Sequence, residues 1–157
     1  MIAVPIDLVD TSGTAAADAD SLLRQAAFLL DRLHLDPEAE LSIALVGEDE
    51  MTRLHVEWMD EPGPTDVLSF PMDDLAPGDP LGPRVSGVLG DVVICPAVAA
   101  RQAEQAGHGI DEELALLLTH GVLHLLGHDH AEPDEHERMF ALQDSLLAAW
   151  RSAQAAS

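Results

Sequence analysis

Apolar residues follow two spacings along this chain, and each spacing predicts a type of element. Short apolar runs such as residues 41–47 are typical of buried strands. Elsewhere, as in residues 21–35, apolar positions recur every three or four residues and share one face of a helix. The strands are predicted at 2–9, 41–47, 66–72 and 88–96, and the helices at 21–35, 48–59, 97–106, 111–126 and 134–150.

The order of these elements, β-α-β-α-β-β-α-α-α, predicts the α+β fold class, with about four strands covered by about five helices. Asp20 or Ser21 is the expected N-cap of the first helix. Residues 73–86 are rich in Pro, Gly and Asp, so we expect an exposed loop there. A length of 157 residues suits a single domain over residues 1–157.

Charge restricts the partners that this chain can bind. It has 29 acidic residues against seven arginines, which gives a formal net charge of -22. Such a surface repels polyanions, so a nucleic acid could bind only in a local basic or metal-centred cleft. The N-terminus does not have the pattern of a signal peptide, and no apolar stretch is long enough to cross a membrane. We therefore expect a soluble, cytoplasmic protein with no membrane partner.

The single cysteine, Cys95, lies in the apolar run VVICPAV. An internal disulfide is impossible, and the surrounding sequence predicts a buried, unreactive thiol.

Residues 119–130, THGVLHLLGHDH, predict a metal site. His120 and His124 stand one helical turn apart, so their imidazoles project from the same face. Gly127 can adopt the left-handed conformation that ends a helix, and the chain can then return His130 towards the same point. Three imidazoles leave one zinc position for water, and zinc lowers the pKa of that water. We therefore predict one Zn²⁺ ion on His120, His124 and His130, and a hydrolase.

The other histidines have weaker claims on the metal. His128 lies beside the turn and is more simply a residue of the cleft wall than a ligand. Four more are expected to be surface or packing residues: His34, His55, His108 and His136.

The motif matches the zincin-type metalloprotease helix H-E-x-x-H-x-x-G-x-x-H at every position but one. Gly121 stands where the protease has its catalytic glutamate. A zincin-like metal helix is therefore predicted, but a peptidase is disfavoured. Asp66 and Asp129 are candidates for the missing proton acceptor, and the sequence does not decide which residue is catalytic.

Three blocks, in order along the chain, resemble the YbeY family of bacterial rRNA maturation factors, which are single-strand-specific endoribonucleases. They are PTDVLSFP at 64–71, LGDVVI at 89–94 and HGVLHLLGHDH at 120–130. The likeness extends from about Leu41 to Leu147.

This resemblance implies a mixed sheet with the metal helix packed against it and a zinc ion on His120, His124 and His130. It also implies a role in 16S rRNA 3′-end maturation and ribosome quality control. The expected partners are single-stranded rRNA precursors and components of the small ribosomal subunit, and no DNA partner is expected.

Two positions depart from the family pattern. Many members carry an arginine after the aromatic residue that is here Trp58, and this chain has Met59. An arginine there would contact phosphate, so either Arg53 or Arg84 takes over its role or the activity is weaker. His128 stands where the family usually has tyrosine.

Several polar residues have two interpretations. Thr65, Asp66 and Ser69 could form a polar cleft wall, or Thr65 could simply begin the strand while Asp66 caps its turn. Asp91 could hydrogen-bond a histidine ligand, as zinc sites usually require, or serve a turn or bulge after Gly90.

Two functional hypotheses remain from the sequence, besides the disfavoured protease. The first is a zinc-dependent endoribonuclease acting on rRNA precursors, which the open coordination position favours. The second is a ribosome-assembly factor with a structural metal and little intrinsic nuclease activity, which the acidic surface and Met59 favour.

Overall fold

The computed structural model describes residues 6–14, 17–73, 75, 76, 78, 81–127 and 132–155. Its strands are β1 (Ile6–Asp10), β2 (Glu40–Leu45), β3 (Val67–Pro71) and β4 (Val88–Ile94). Its helices are α1 (Ala19–Arg32), α2 (Glu48–Met59), α3 (Pro96–Ala106), α4 (Ile110–Leu125) and α5 (Pro133–Ala155). The elements follow the predicted order, which confirms the α+β class.

The strands form one mixed sheet in the order β1-β2-β4-β3. β1, β2 and β4 run parallel to one another, and β3 pairs with β4 in the antiparallel direction. The mixed sheet implied by the family resemblance is therefore present. β3 lies at the edge of the sheet beside α4, which brings the PTDVLSFP block next to the histidine motif.

Two cores lie on opposite faces of the sheet. The larger core packs α1, α4 and α5 against one face, and the smaller core packs α2 against the other face near the start of α3. Helix α4 is apolar on nearly every side because it lies between the sheet and other helices. Its buried apolar side chains are Leu114, Leu117, Leu118, Val122, Leu123 and Leu125.

Gly121 allows α4 to approach the sheet closely. A Cβ atom there would lie only 2.7 Å from Val92 Cγ1 and 3.3 Å from Ser69 Oγ. The same approach lets the Ser69 hydroxyl donate a hydrogen bond to the Gly121 carbonyl oxygen over 3.0 Å. Position 121, where the protease motif has its glutamate, therefore lies at the contact between α4 and the sheet in this chain, and any side chain there would overpack this contact.

Gly90 marks an irregularity in β4. Its φ is +132°, and a Cβ atom would lie 2.1 Å from the Phe70 carbonyl oxygen. The pairing of β2 with β4 shifts at this point, because Glu40 is opposite Val88 while Leu41 is opposite Gly90. This irregularity favours the second interpretation of Asp91, a turn or bulge after Gly90.

Element ends differ from the predictions at several places. The N-cap of α1 is Asp18, whose side chain accepts from the Ser21 N–H over 3.1 Å, so the expectation of Asp20 or Ser21 is wrong. An N-cap residue precedes the N–H that it accepts from, and Ala19 is a good helix former in the first turn. Helix α5 continues to Ala155, beyond the predicted end at 150. Residues 2–5 of the first predicted strand lie outside the described residues.

Within the described part of the chain, no helix has the length and apolar character needed to cross a lipid bilayer.

Candidate metal centre

His120 and His124 lie on consecutive turns of α4, and their rings meet edge to face, with 71° between the ring planes. Their Nε2 atoms are 3.1 Å apart and their ring centroids are 4.6 Å apart. Two nitrogen ligands of one tetrahedral zinc ion lie roughly 3.3 Å apart, since each is about 2.0–2.1 Å from the metal. The structure therefore brings the two helical histidines together at a spacing that suits a shared ion.

His130, the predicted third ligand, lies outside the described residues, as do His128 and Asp129. The residues that the structure describes contain no cluster of three or more His, Cys, Asp or Glu side chains that could hold a metal. The three-histidine site therefore stays a prediction, of which two members are in place.

Gln143 orients the first histidine. Its Oε1 atom accepts a hydrogen bond from His120 Nδ1 over 2.8 Å, and its residue is only 3% exposed. A neutral imidazole that donates through Nδ1 keeps its lone pair on Nε2, the atom that faces His124. Sequence reasoning missed Gln143, although a glutamine among the buried positions of α5, between Met139 and Leu146, was a signal that could have found it.

Asp91 does not have the orienting role that was one of its two interpretations. Its neighbour Val92 contacts Gly121 of α4, and successive strand residues point to opposite faces. Asp91 instead lines a groove on the far face of the sheet, with Trp58 and Met72. The hydrogen bond that orients His120 is instead accepted by Gln143.

A cleft of about 540 Å³ opens beside the two histidines, between β3, α4 and α5. We call it the histidine cleft. Its lining residues are Met59, Asp66, Val67, Leu68, Ser69, Pro71, Leu116, Leu117, His120, His124, Phe140 and Gln143. Among these described residues there is one carboxylate, Asp66, and no arginine.

The polar residues at the start of β3 combine the two roles considered for them. Asp66 Oδ1 accepts from the Val67 N–H over 2.7 Å and from the Thr65 hydroxyl over 3.3 Å, so it caps the turn. Its side chain also belongs to the cleft wall, as does Ser69, whereas Thr65 does not line the cleft.

A chain of half-buried polar groups leads from Asp66 to the buried Glu113 at the α3–α4 interface. With its amide nitrogen directed at two carboxylates, Gln102 donates to Asp66 Oδ2 over 3.2 Å and to Glu113 Oε2 over 3.1 Å. Glu113 is 7% exposed, and its Oε1 atom lies 2.6 Å from His108 Nε2. His108 thus pairs with a buried carboxylate, a role that its place in the sequence did not reveal.

Neither arginine proposed to replace the family's phosphate contact lines the histidine cleft. Arg53 is bound to Glu50 and Glu57 on the exposed surface of α2. Arg84 is bound to Asp31 at the end of α1. Met59 does line the cleft, so neither Arg53 nor Arg84 stands in the cleft beside it, and of the two alternatives a weaker activity fits this arrangement better.

The remaining histidines serve packing, with one exception near the cleft. His34 Nε2 lies 2.8 Å from the Gly82 carbonyl oxygen, and His55 Nδ1 lies 3.0 Å from that of Gly63. His136 stacks on Phe140 with 4.4 Å between ring centroids, and Phe140 is part of the cleft wall.

Cys95 is completely buried and forms no disulfide, as expected. Burial raises the pKa of its thiol, because the thiolate would lose its hydration.

The sequence model of the family described as "Endoribonuclease YbeY" matches residues 9–151. The chain belongs to the YbeY family. A curated YbeY relative from Thermobifida fusca is 62% identical over 146 residues, which cover 93% of this chain and 94% of the relative. One from Clavibacter sepedonicus is 55% identical over 141 residues, which cover 88% of this chain and 92% of the relative. Both relatives are named Endoribonuclease YbeY.

A solved structure has the same fold as the one described above. The solution structure of a protein from Thermotoga maritima superposes with a TM-score of 0.63, and the match covers 97% of this chain and 95% of that one. The two sequences are 24% identical, so this likeness concerns the fold alone.

Proposed function

We propose that this protein is a zinc-dependent, single-strand-specific endoribonuclease that acts in the cytoplasm on the 3′ end of 16S rRNA and in ribosome quality control. Its membership of the YbeY family, whose curated relatives are named endoribonucleases, supports an RNA-hydrolysing enzyme. The observation that carries the metal part is the His120–His124 pair, with facing Nε2 atoms 3.1 Å apart at the wall of a cleft.

The donor set suits zinc. His120 and His124 would supply two imidazole nitrogens, and His130 is the proposed third ligand. Since His120 Nδ1 donates to Gln143, its Nε2 atom carries the lone pair that a metal needs. When bound, zinc would act as a Lewis acid and activate water for hydrolysis.

The remaining cleft residues would hold the RNA strand. Leu116, Leu117 and Phe140 form an apolar wall against which a base could lie. Apolar contact alone gives limited affinity, and the net charge of -22 repels RNA at long range. We therefore propose that a component of the small ribosomal subunit delivers the rRNA precursor.

Metal analysis joined to a cleavage assay tests this function. We expect about one zinc ion per chain and cleavage of a single-stranded RNA that stops when a chelator is added. His124→Ala, shown by circular dichroism to be folded, should lose cleavage, whereas the control His55→Ala should keep it. Cleavage that survives both the chelator and His124→Ala would exclude metal-based catalysis by this protein.

The composition of the cleft favours a second candidate, a ribosome-assembly factor with a structural metal and little nuclease activity. No cationic side chain other than histidine stands among the described cleft residues, and Met59 occupies the arginine position of the family. This candidate predicts a folded, zinc-loaded protein that co-purifies with small-subunit particles but leaves RNA intact. Removal of zinc would then lower the melting temperature without any activity to lose.

A further inference from the structure

The Asp66 carboxylate is held in one orientation on the wall of the histidine cleft. Oδ1 accepts from the Val67 N–H and the Thr65 hydroxyl, and Oδ2 accepts from the amide of Gln102 on α3. A carboxylate has about four acceptor positions. The described residues fill three of them, which leaves roughly one position, on Oδ2, for a ligand.

Gln102 is fixed from its other side. Its amide nitrogen also donates to Glu113 Oε2 over 3.1 Å, and Glu113 in turn contacts His108 Nε2 over 2.6 Å. Breaking the bond from Gln102 would leave the buried Glu113 carboxylate with one partner fewer, so this network restricts the orientation of the Gln102 amide. The α3–α4 interface therefore sets the direction in which Asp66 presents its oxygen.

The chemistry of a carboxylate restricts what can bind at this oxygen. A carboxylate only accepts hydrogen bonds, and a phosphodiester also only accepts and carries the same charge. Any group of the RNA strand that binds Asp66 must therefore be a hydrogen-bond donor. In single-stranded RNA these donors are the ribose 2′-hydroxyls and the amino and imino groups of the bases, whereas the sugars within a DNA strand have none.

The position of Asp66 favours the hydroxyl over the base edges. Hydrolysis requires a phosphate beside His120 and His124, and Asp66 lines the same cleft. The 2′-hydroxyl is separated from the neighbouring 3′-phosphate by only two carbon atoms, whereas the base edges lie farther away. The apolar wall of Leu116 and Leu117 suits the face of a base, which leaves the sugar to face the polar wall.

We propose that the Asp66 carboxylate, positioned by Gln102, accepts a hydrogen bond from the 2′-hydroxyl of the nucleotide in the histidine cleft and so selects RNA over DNA. This inference rests on the proposed endoribonuclease function, for which it names a specificity-determining residue.

Binding of one oligonucleotide sequence in three sugar chemistries tests the proposal. Single-stranded RNA, its 2′-fluoro analogue and the DNA strand are titrated by fluorescence anisotropy at low ionic strength, on ice, with a gel check for intact RNA. The 2′-fluoro sugar keeps a ribose-like shape but cannot donate. A hydrogen bond to a charged acceptor predicts that RNA binds about tenfold more tightly than either analogue.

Variants separate selection from folding. Asp66→Ala should bring the ratio of RNA to 2′-fluoro affinity close to one while binding of the analogue holds or improves, because a negative charge is gone. If Asp66→Ala does not fold, Asp66→Asn keeps the side-chain shape and should also lower the ratio. Gln102→Met should lower it in part, whereas Gln105→Met, at an exposed glutamine one turn along α3, should leave it unchanged.

Three results would overturn the inference. An unchanged ratio in Asp66→Ala, with all three oligonucleotides weakened equally, would mean that Asp66 only supports the fold. Equal binding of RNA and the 2′-fluoro analogue by a wild-type protein that cleaves RNA would refute this inference and leave the proposed function standing. A zinc-loaded protein that neither binds nor cleaves RNA would refute both.

Discussion

Gln143 on α5 accepts a hydrogen bond from Nδ1 of His120 on α4, with 2.8 Å between the two atoms. Gln143→Leu removes the acceptor, so the His120 ring loses both its fixed tautomer and its orientation. We expect the zinc affinity to fall about 10- to 100-fold, the usual effect of losing such a partner. Competition with a chromophoric chelator measures this affinity.

Gln154→Leu, at an exposed glutamine near the end of α5, is the matched control and should bind zinc like the wild type. Equal zinc affinity in Gln143→Leu and the wild type would show that the His120–Gln143 bond does not support metal binding.

Gly121→Ala tests the close contact between α4 and the sheet. The added Cβ atom would lie 2.7 Å from Val92 Cγ1, so α4 must shift or Val92 must move. Overpacking costs about 1–3 kcal/mol, and the better helix propensity of alanine recovers up to about 1 kcal/mol. We expect the free energy of unfolding, measured in urea, to fall by about 1–2 kcal/mol.

Val92→Ala supplies the control for this contact. In the double variant the smaller side chain at position 92 makes room for the new methyl group. The double variant should therefore lose less unfolding free energy than the two single variants lose together. Strict additivity would contradict a direct clash between positions 121 and 92.

Met59→Arg places a positive charge at the position where the family resemblance led us to expect an arginine. Met59 lines the histidine cleft, and no arginine stands among the described residues there. We expect single-stranded RNA to bind about three- to tenfold more tightly at low salt. The slope of log binding constant against log salt concentration should become more negative by about 0.7, the value for one added phosphate contact. Anisotropy titrations at several salt concentrations measure both quantities.

Val56→Arg is the matched control, because it makes the same change in net charge. Val56 lies on α2, is 49% exposed against 46% for Met59, and does not line the cleft. If both variants gain affinity equally, the gain is a general charge effect and the position of Met59 is unimportant.

Cys95 should resist alkylation in the folded protein. Burial raises the pKa of its thiol above the ordinary value, so the reactive thiolate is scarce at pH 8. We expect iodoacetamide to modify Cys95 rapidly in denaturant and very slowly without it, as measured by mass spectrometry. Equal rates in the two conditions would contradict a buried thiol.

The same shift makes stability depend on alkaline pH. A folded-state pKa above the unfolded one stabilises the protein fully below the unfolded value, about 8.5, and this stabilisation is lost as the pH rises through the folded value. Wild-type stability should therefore fall above about pH 8.5 more steeply than that of Cys95→Ala. Parallel curves for the two proteins would argue against the raised pKa.

The sequence by itself determined the order of the elements and the pairing of His120 with His124. Both follow from local geometry, since apolar spacing reports the type of element and residues four apart on a helix share a face. The three sequence blocks also sufficed to identify the YbeY family, which the comparisons confirm. His130 stays a prediction, because it lies outside the described residues.

Only the tertiary structure decided which groups surround the histidines. Gln143 reaches His120 from 23 residues away, and Gln102 reaches Asp66 from another helix, distances over which no local pattern operates. The irregularity at Gly90 could not be predicted from local patterns either. Successive strand residues point to opposite faces of the sheet, so one extra residue reverses the face of every side chain that follows it. Asp91 therefore faces away from α4, a result that depends on strand register and could not be read from its neighbours in the sequence.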